Sequence, residues 1–461
     1  MKVGLLPLYL ELYDETTSFM RPRIEAFRDT IAKKLSDLGL EIVDVPICRL
    51  ADEFFTAVQQ IESEGGSAII TLHMAYSPSL ESIDALAKTK LPIVVLDTTE
   101  TYAFDPSVGA EEILYNHGIH GVQDMCNLLI RRGKGFEIFA GHYEHSDVLT
   151  RVVNYCRGVE IANNFRNARV GLVGEPFKGM GDFQVPFAEL YKDFGLEVIP
   201  YDFDAASRRI AAISATEIAQ ERQEDEGLFE WDPSVTDEIY ERTTRVCLAL
   251  RQWMEEQKVN GLSVNFLATE GSPAGLPVMP FTECSKAMTR GIGYAGEGDV
   301  LTAALCGAVL STFSETSFTE IFCPDWKGES LFLSHMGEFN YNVCAGKPRL
   351  TEKDFPFTTA ENPTVAYGTL KSGKAVYINL LPNGSGKYTL ILAKGEVLPV
   401  KGENKFAESV NGWFKPDKPL TEFLEEFSRA GGTHHSVISH DDCFDALVSF
   451  ASVMGFEIVI I

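Results

Sequence analysis

Two glutamates and two histidines toward the C-terminal end of a 461-residue chain, Glu297, Glu320, His335 and His435, are the residue types that hold a divalent cation and move protons beside it. Each lies in a short segment suited to presenting a polar side chain: Gly296-Glu297-Gly298-Asp299, Phe318-Thr319-Glu320, Leu333-Ser334-His335-Met336 and Gly431-Gly432-Thr433-His434-His435. Two carboxylates and two imidazoles make a mixed oxygen and nitrogen donor set, which suits Mn²⁺-type ions better than thiophilic ones. Singly, each has an ordinary structural reading. Glu297 precedes Asp299 and the helical run 300–313, where acidic residues favour a helix start and Asp299 serves as N-cap. Glu320 alone reads as a surface charge and His335 as a strand histidine, so their weight comes from the combination.

All nine histidines fall into two groups, 73, 117, 120, 142 and 145, then 335, 434, 435 and 440. Two such clusters suggest a cleft shared between domains or between subunits. Of the adjacent His434 and His435, only one faces a given site if the segment is extended, since neighbouring side chains alternate. Gly431 and Gly432 allow an unusual backbone beside them. Two other motifs fail on context. Gly291-Ile292-Gly293-Tyr294-Ala295-Gly296 spells the dinucleotide fingerprint, but residues 282–290 before it read as helix where the fingerprint needs a strand. Gly384-Ser385-Gly386-Lys387 lacks the first glycine and the final Ser or Thr of a phosphate loop.

The elements that must position these residues come in two grammars. Over 1–168, apolar runs at 2–9, 41–46, 67–72, 92–96 and 136–139 alternate with helical patterns at 21–38, 51–64, 80–88 and 110–132, which predicts a parallel α/β domain. A second α/β domain, 169–311, has strands at 168–174, 196–200 and 261–266 and a long helix over 234–257. Its acidic stretch 204–225 reads as one exposed helix. Over 312–461, strand signals dominate at 330–339, 365–370, 374–381, 387–392 and 396–400, with 382–386 as a hairpin connection. Helices at 420–429 and 441–454 precede a last strand, 456–461. This third domain is expected to be antiparallel, a barrel or sandwich. The fold class is therefore α/β: two Rossmann-like parallel α/β domains and a mostly antiparallel, β-rich C-terminal domain.

Composition narrows the function classes. A formal charge of −26 without a Lys/Arg cluster argues against a nucleic-acid partner. Nine scattered cysteines, never in Cys-x-x-Cys spacing, support neither a disulfide framework nor a zinc knuckle and fit a reducing, cytoplasmic setting. The start is not read as a signal peptide, and no apolar run approaches the ~20 residues of a membrane helix.

With those segments in view, the chain resembles the L-arabinose isomerase family, within the L-fucose and L-arabinose isomerase group. An Ala-Gly-Glu-Gly-Asp stretch and Thr-Ala-Ala-Leu helix are matched at Ala295 to Asp299 and Thr302 to Leu305. Thr-Ser-Phe-x-Glu is matched at Thr316 to Glu320, Ser-His-Met-x-Glu at Ser334 to Glu338, Trp-x-Lys-Pro at Trp413 to Pro416, and Gly-Gly-x-His-His at Gly431 to His435. The resemblance implies that Glu297, Glu320, His335 and His435 ligate Mn²⁺, or another divalent cation such as Co²⁺ or Mg²⁺, and selects His435 over His434. It implies that the glutamates double as the acid/base pair of a metal-dependent aldose–ketose isomerase working through a cis-enediol. Asn116 to Gly121 is similar to Asn-Gln-Ser-x-His-Gly, Gly141-His142-Tyr143 to a Gly-His-aromatic turn, and Phe177-Lys178 stands in place of a Met-Arg pair. The implied sugar-contacting set is His120, His117, Tyr9, Glu11, Phe177 and Phe266. A homo-oligomer, trimer or hexamer, with sites at subunit interfaces is also implied.

The departures concern the substrate. Leu10 stands where the family has Gln, His117 replaces another Gln, Ile321 follows Glu320 in place of an acidic residue, the span between the glutamates is shorter, and the usual tail beyond Ile461 is missing. An arabinose-like pentose or related sugar is the expected substrate. An epimerase or isomerase of another sugar or sugar acid is the nearest alternative, and a non-catalytic sugar-binding protein the alternative from another class.

Overall fold

The computed structural model describes residues 1–269, 276–384 and 386–461 and comprises two compact units, Met1–Glu160 and Ile161–Ile461. The first is a five-stranded parallel sheet of β1 (Lys2–Leu8), β2 (Glu41–Asp44), β3 (Ile69–His73), β4 (Ile93–Asp97) and β5 (Phe136–Ala140), in the order β2-β1-β3-β4-β5. Helices cover both faces, so β1 is apolar from Val3 onward. Val3 and Leu5 join Ile24, Phe27 and Ile31 on one side, while Leu6 and Leu8 join Phe54 and Ile61 on the other. Each large side chain so buried stabilises by roughly 1.5–3 kcal/mol relative to exposure. The chain order reverses between β1 and β3, the point where sheets of this kind open a crevice at their carboxyl ends.

The sequence predicts one helix over 110–132, whereas the structure breaks it into a turn at Ala110–Glu112, a short helix Ile113–Asn116 and the helix Gly118–Arg131. Close packing explains the break. A side chain at position 118 would come within 2.7 Å of the His73 carbonyl, and the Asn116 amide holds the preceding turn by donating to the Glu112 carbonyl.

The second unit starts with a parallel sheet of β6 (Arg169–Val173), β7 (Glu197–Pro200), β9 (Gly261–Val264) and β10 (Gly293–Gly296), ordered β10-β9-β6-β7. The helix Val300–Leu310 is buried on every face, lying against this sheet and against the barrel described next. Its close approach to the sheet depends on glycine, since a Cβ at Gly293 would sit 2.1 Å from the Gly307 amide nitrogen. The barrel strands are β11 (Thr316–Asp325), β12 (Ser330–Ser334), β15 (Gly373–Pro382), β16 (Tyr388–Val397), β17 (Gly412–Pro416) and β18 (His435–Ser439). They pair as β15-β18-β11-β12-β17-β16, and β16 pairs back to β15, closing the ring. The final strand β19 (Glu457–Ile460) adds parallel to β16. A small sheet joins β8 (Glu230–Trp231), β13 (Arg349–Glu352) and β14 (Thr364–Tyr367).

The fold is thus two parallel α/β sheets followed by a mostly antiparallel barrel. Pro382 faces Tyr388 where β15 passes to β16; Ser385, within the expected hairpin connection and the phosphate-loop-like Gly384 to Lys387, lies outside the described residues. The dinucleotide-like glycines end on β10, preceded by the helix Phe281–Thr289.

The acidic segment 204–225 departs from expectation. It is two helices, Phe203–Ala212 and Ala215–Leu228, and Glu221 and Asp225 are buried. Arg251 binds Glu221 through two nitrogens (2.7 and 2.8 Å) and also Glu283 (2.7 Å). Lys286 binds Glu221 and Asp225, and the Tyr240 hydroxyl donates to Asp225 (2.9 Å). Buried charges need such partners because water no longer solvates them.

Candidate functional site

Barrel register brings three of the four proposed ligands together. Glu320 on β11 lies opposite His435 on β18 and opposite Ser334 on β12, and His335 follows Ser334 at once. Directly opposed residues of antiparallel neighbours share a face, which brings Glu320 and His435 together; His335 lies just past the end of β12, off the strand's alternation, and its ring meets the same pair. The fourth arrives from the other sheet. Glu297 follows β10 in the left-handed region, φ 62°, which is rare for a residue with a side chain. Its N–H donates to the Val264 carbonyl (2.9 Å) and its own carbonyl accepts from the Phe177 N–H (2.8 Å), while the Gly298 N–H donates to the Ser263 hydroxyl (3.0 Å). A strained conformation held so firmly is a mark of functional sites.

Two overlapping triads result, Glu320 with His335 and His435, and Glu297 with His434 and His435; within each, the potential ligand atoms all lie within 4.8 Å of one another. His435 Nε2 is 3.3 Å from Glu297 Oε2, and His434 Nε2 is 3.9 Å from the same oxygen. Both adjacent histidines therefore approach one site, contrary to the expectation from alternation. His434 sits in a bend before β18, not within the strand, and Gly431 just upstream adopts φ 86°.

Behind His335 and behind His435 stands a carboxylate. His335 Nδ1 is 2.7 Å from Glu338 Oε2, whose other oxygen accepts from the Tyr294 hydroxyl (2.7 Å). His435 Nδ1 is 3.1 Å from Asp299 Oδ2, while Asp299 Oδ1 caps the helix Val300–Leu310 by accepting from the Thr302 N–H (2.9 Å). A carboxylate on Nδ1 fixes the tautomer whose Nε2 lone pair is free, the arrangement by which proteins orient metal-binding histidines. The His435 Nε2 is buried and has no hydrogen-bond partner among the described residues. Room for an ion depends on Gly296, where a Cβ would come within 3.1 Å of His335 Nε2 and 3.9 Å of His435 Nε2. The donors present thus fit a divalent cation held by Glu297, Glu320, His335 and His435.

Apolar rings seal the histidines from the side. Phe318 meets His335 and His435 edge-on at 4.8 and 5.0 Å, and Phe183 stacks on His435 at 5.1 Å. Asn379 on β15 fixes the double-histidine segment, donating to the Thr433 hydroxyl (2.7 Å) and the His435 carbonyl (2.7 Å) and accepting from the Thr433 N–H (3.2 Å).

The environment separates the two glutamates. Burial would raise Glu297, but the His434 and His435 rings that face it and the nearby His335 hold its carboxyl far below the ordinary range. Burial dominates at Glu320 and pushes its carboxyl up, against the pull of the same three histidines. His435 is opposed by burial yet raised to about 10 by Asp299 and Glu297. These carboxylates attract a positive charge, proton or cation, to its ring.

Of the residues expected to contact sugar, Phe177 and Phe266 pack together at 5.6 Å in the second unit. The others gather in the first unit at the β1/β3 crevice. Tyr9, just past β1, is fully buried and meets Tyr13 edge-on at 5.9 Å; the Tyr13 hydroxyl is 3.1 Å from His117 Nε2, and the His117 ring stacks over His120 at 5.8 Å. His120 is exposed and Glu11 is half-buried at the start of the helix Glu11–Thr16. Burial and the neighbouring His120 lower His117, which favours a neutral ring. The sequence reading missed Asp182, Phe183 and Asn379, and missed the second role of Asp299. Only Asp299 carried a signal, its N-cap position.

The family model of the L-arabinose isomerase central domain matches residues 188–314, and that of the C-terminal domain matches 315–457. Among individual relatives, an L-arabinose isomerase of Shouchella clausii is 22% identical over 99% of this chain and 93% of its own. One of Shewanella sp. strain MR-4 is 24% identical over 92% and 87%, and one of Geobacillus kaustophilus 25% over 87% and 82%. The matched spans contain Glu297, Glu320, His335 and His435, and together they cover more than half of the sequence. With these matches and the converging donor set, the chain belongs to the L-arabinose isomerase family.

Proposed function

We propose that this protein is a divalent-metal-dependent aldose–ketose isomerase acting on a free sugar, an arabinose-like pentose or a related sugar, through a cis-enediol. The observation that carries this reading is the pair of triads sharing His435, Glu320 with His335 and Glu297 with His434, with a carboxylate on Nδ1 of His335 and of His435. Isomerisation moves one proton between C1 and C2 and another between O1 and O2, so two carboxylates are the expected working groups. When bound, a Mn²⁺-type cation supplies polarisation of the carbonyl and positive charge beside the developing enediolate. His335 and His435 anchor that charge. Of Glu297 and Glu320, one takes and returns the carbon-bound proton while the other handles the oxygen-bound one. Phe318 and Phe183 exclude water from the histidines' flanks.

Sugar selection belongs, in this reading, to His120, His117, Tyr9 and Glu11 of the first unit with Phe177 and Phe266 of the second. It includes the division at 1–168, 169–311 and 312–461 and a homo-oligomer, trimer or hexamer, whose neighbours complete each site. The test is a panel of pentoses, hexoses and deoxy sugars with the Mn²⁺-loaded protein, scored for ketose. Ketose from at least one aldose, abolished in Glu320→Gln, is the expected result; an epimer as product, or sugar binding without turnover across the panel, would sink the assignment.

A further inference from the structure

His434 is the one histidine of the late cluster that reaches the site without a role in the four-ligand set. Its ring is held from behind. Asp182 Oδ2 accepts both the His434 backbone N–H (3.0 Å) and lies 2.6 Å from Nδ1. That is the same carboxylate–imidazole arrangement as Glu338 with His335 and Asp299 with His435, and it leaves Nε2 facing forward. Forward means toward Glu297, whose Oε2 is 3.9 Å away, with the His434 and His435 rings 4.3 Å apart. Two donors on one first-row cation, each at about 2.1 Å, stand no more than about 4.2 Å from each other. The His434 and His435 distances to Glu297, 3.9 and 3.3 Å, already satisfy that limit. His434 is also partly exposed, 31% at the side chain, so core packing does not account for its orientation.

We propose that His434 is a further donor at the cation site, on the Glu297 side, and that Asp182 is its positioning residue. The inference rests on the cation reading given above and adds a third imidazole to it. Phe183, next to Asp182, stacks on His435, so one short segment steadies both histidines. A third nitrogen donor also shifts metal preference, since imidazole favours ions later in the first row, Co²⁺ over Mn²⁺.

The test is calorimetric titration of the full-length, metal-free protein with Mn²⁺ and with Co²⁺, comparing the unmodified chain with Asp182→Ala, His434→Gln and the double variant, each checked for an unchanged melting temperature. Both single variants are expected to weaken binding by about 10-fold or more, the range for removing an orienting partner, with the larger loss for Co²⁺. Because Asp182 acts through His434, the double variant should bind within about twofold of His434→Gln. Asp182→Asn, which keeps an acceptor for the ring and backbone N–H, is expected to retain part of the affinity and stands in should Asp182→Ala fold poorly. Unmodified affinity for both ions in His434→Gln, or losses that multiply in the double variant, would overturn the inference alone; an unmodified protein that takes up neither ion would overturn it together with the cation reading.

Discussion

Asp299 shows how much one side chain carries. One oxygen caps the helix Val300–Leu310 and the other orients His435. The roles separate by substitution. Asp299→Asn keeps a capping oxygen but loses the charge behind the imidazole, and should weaken Mn²⁺ binding about 10-fold to 100-fold with little change in melting temperature. Asp299→Ala should add a stability loss of about 1 kcal/mol, read by urea unfolding of the metal-free protein. Equal Mn²⁺ affinity in Asp299→Asn and the parent would show that His435 needs no orienting carboxylate. The N-cap was legible because a helix start is written locally, in Asp299 followed by an apolar run. The His435 contact was not, since it joins residues 136 apart through barrel closure.

At the scale of elements, continuous apolar runs such as β1 and β3 announced the parallel sheets, because strands covered on both faces cannot hide their pattern. β11 went unread. Its residues Thr316–Asp325 mix polar and apolar types, and its identity depends on neighbours β12 and β18 drawn from distant sequence. The acidic helix misled for a related reason: its charges look solvated until Arg251 and Lys286 arrive from other helices. That network gives a pH prediction. Burial alone would raise Glu221, but Arg251 and Lys286 hold it down to about 2, below the ordinary 4.5. A depressed carboxyl contributes its full stability above about 4.5 and loses it as pH falls from there through about 2. Asp225, raised by burial, offsets part of this in the opposite sense. Urea midpoints should therefore fall with acidification, and Arg251→Met should flatten that fall while destabilising at neutral pH by about 3–5 kcal/mol, the range for breaking a buried ion pair. A pH slope unchanged in Arg251→Met would assign the acid sensitivity elsewhere.

For the whole molecule, the division of labour between the two units is the consequence to test. Every proposed cation ligand, Glu297, Glu320, His335 and His435, belongs to the unit Ile161–Ile461, whereas Tyr9, Glu11, His117 and His120 belong to Met1–Glu160. In the proposed reading, ion binding rests on the second unit alone, whereas sugar choice draws on residues of the first as well as on Phe177 and Phe266. His120→Ala, at an exposed position, should raise KM for the preferred sugar about tenfold while leaving Mn²⁺ affinity within twofold; His335→Ala should do the reverse, losing the ion with the sugar contacts of the first unit intact. The asymmetry follows from energetics. One hydrogen bond to a sugar hydroxyl is worth about 1–1.5 kcal/mol, close to a factor of ten, whereas losing one of four ligands removes a direct bond to the cation. In the proposed reading, His117 beside the Tyr13 hydroxyl, where the resemblance expects Gln, puts the change of chemistry on the sugar side. His117→Gln should accordingly shift the order of preference within the sugar panel with Mn²⁺ affinity unmoved. A variant that changed metal affinity and sugar order together would show that the two functions are not separable along this line.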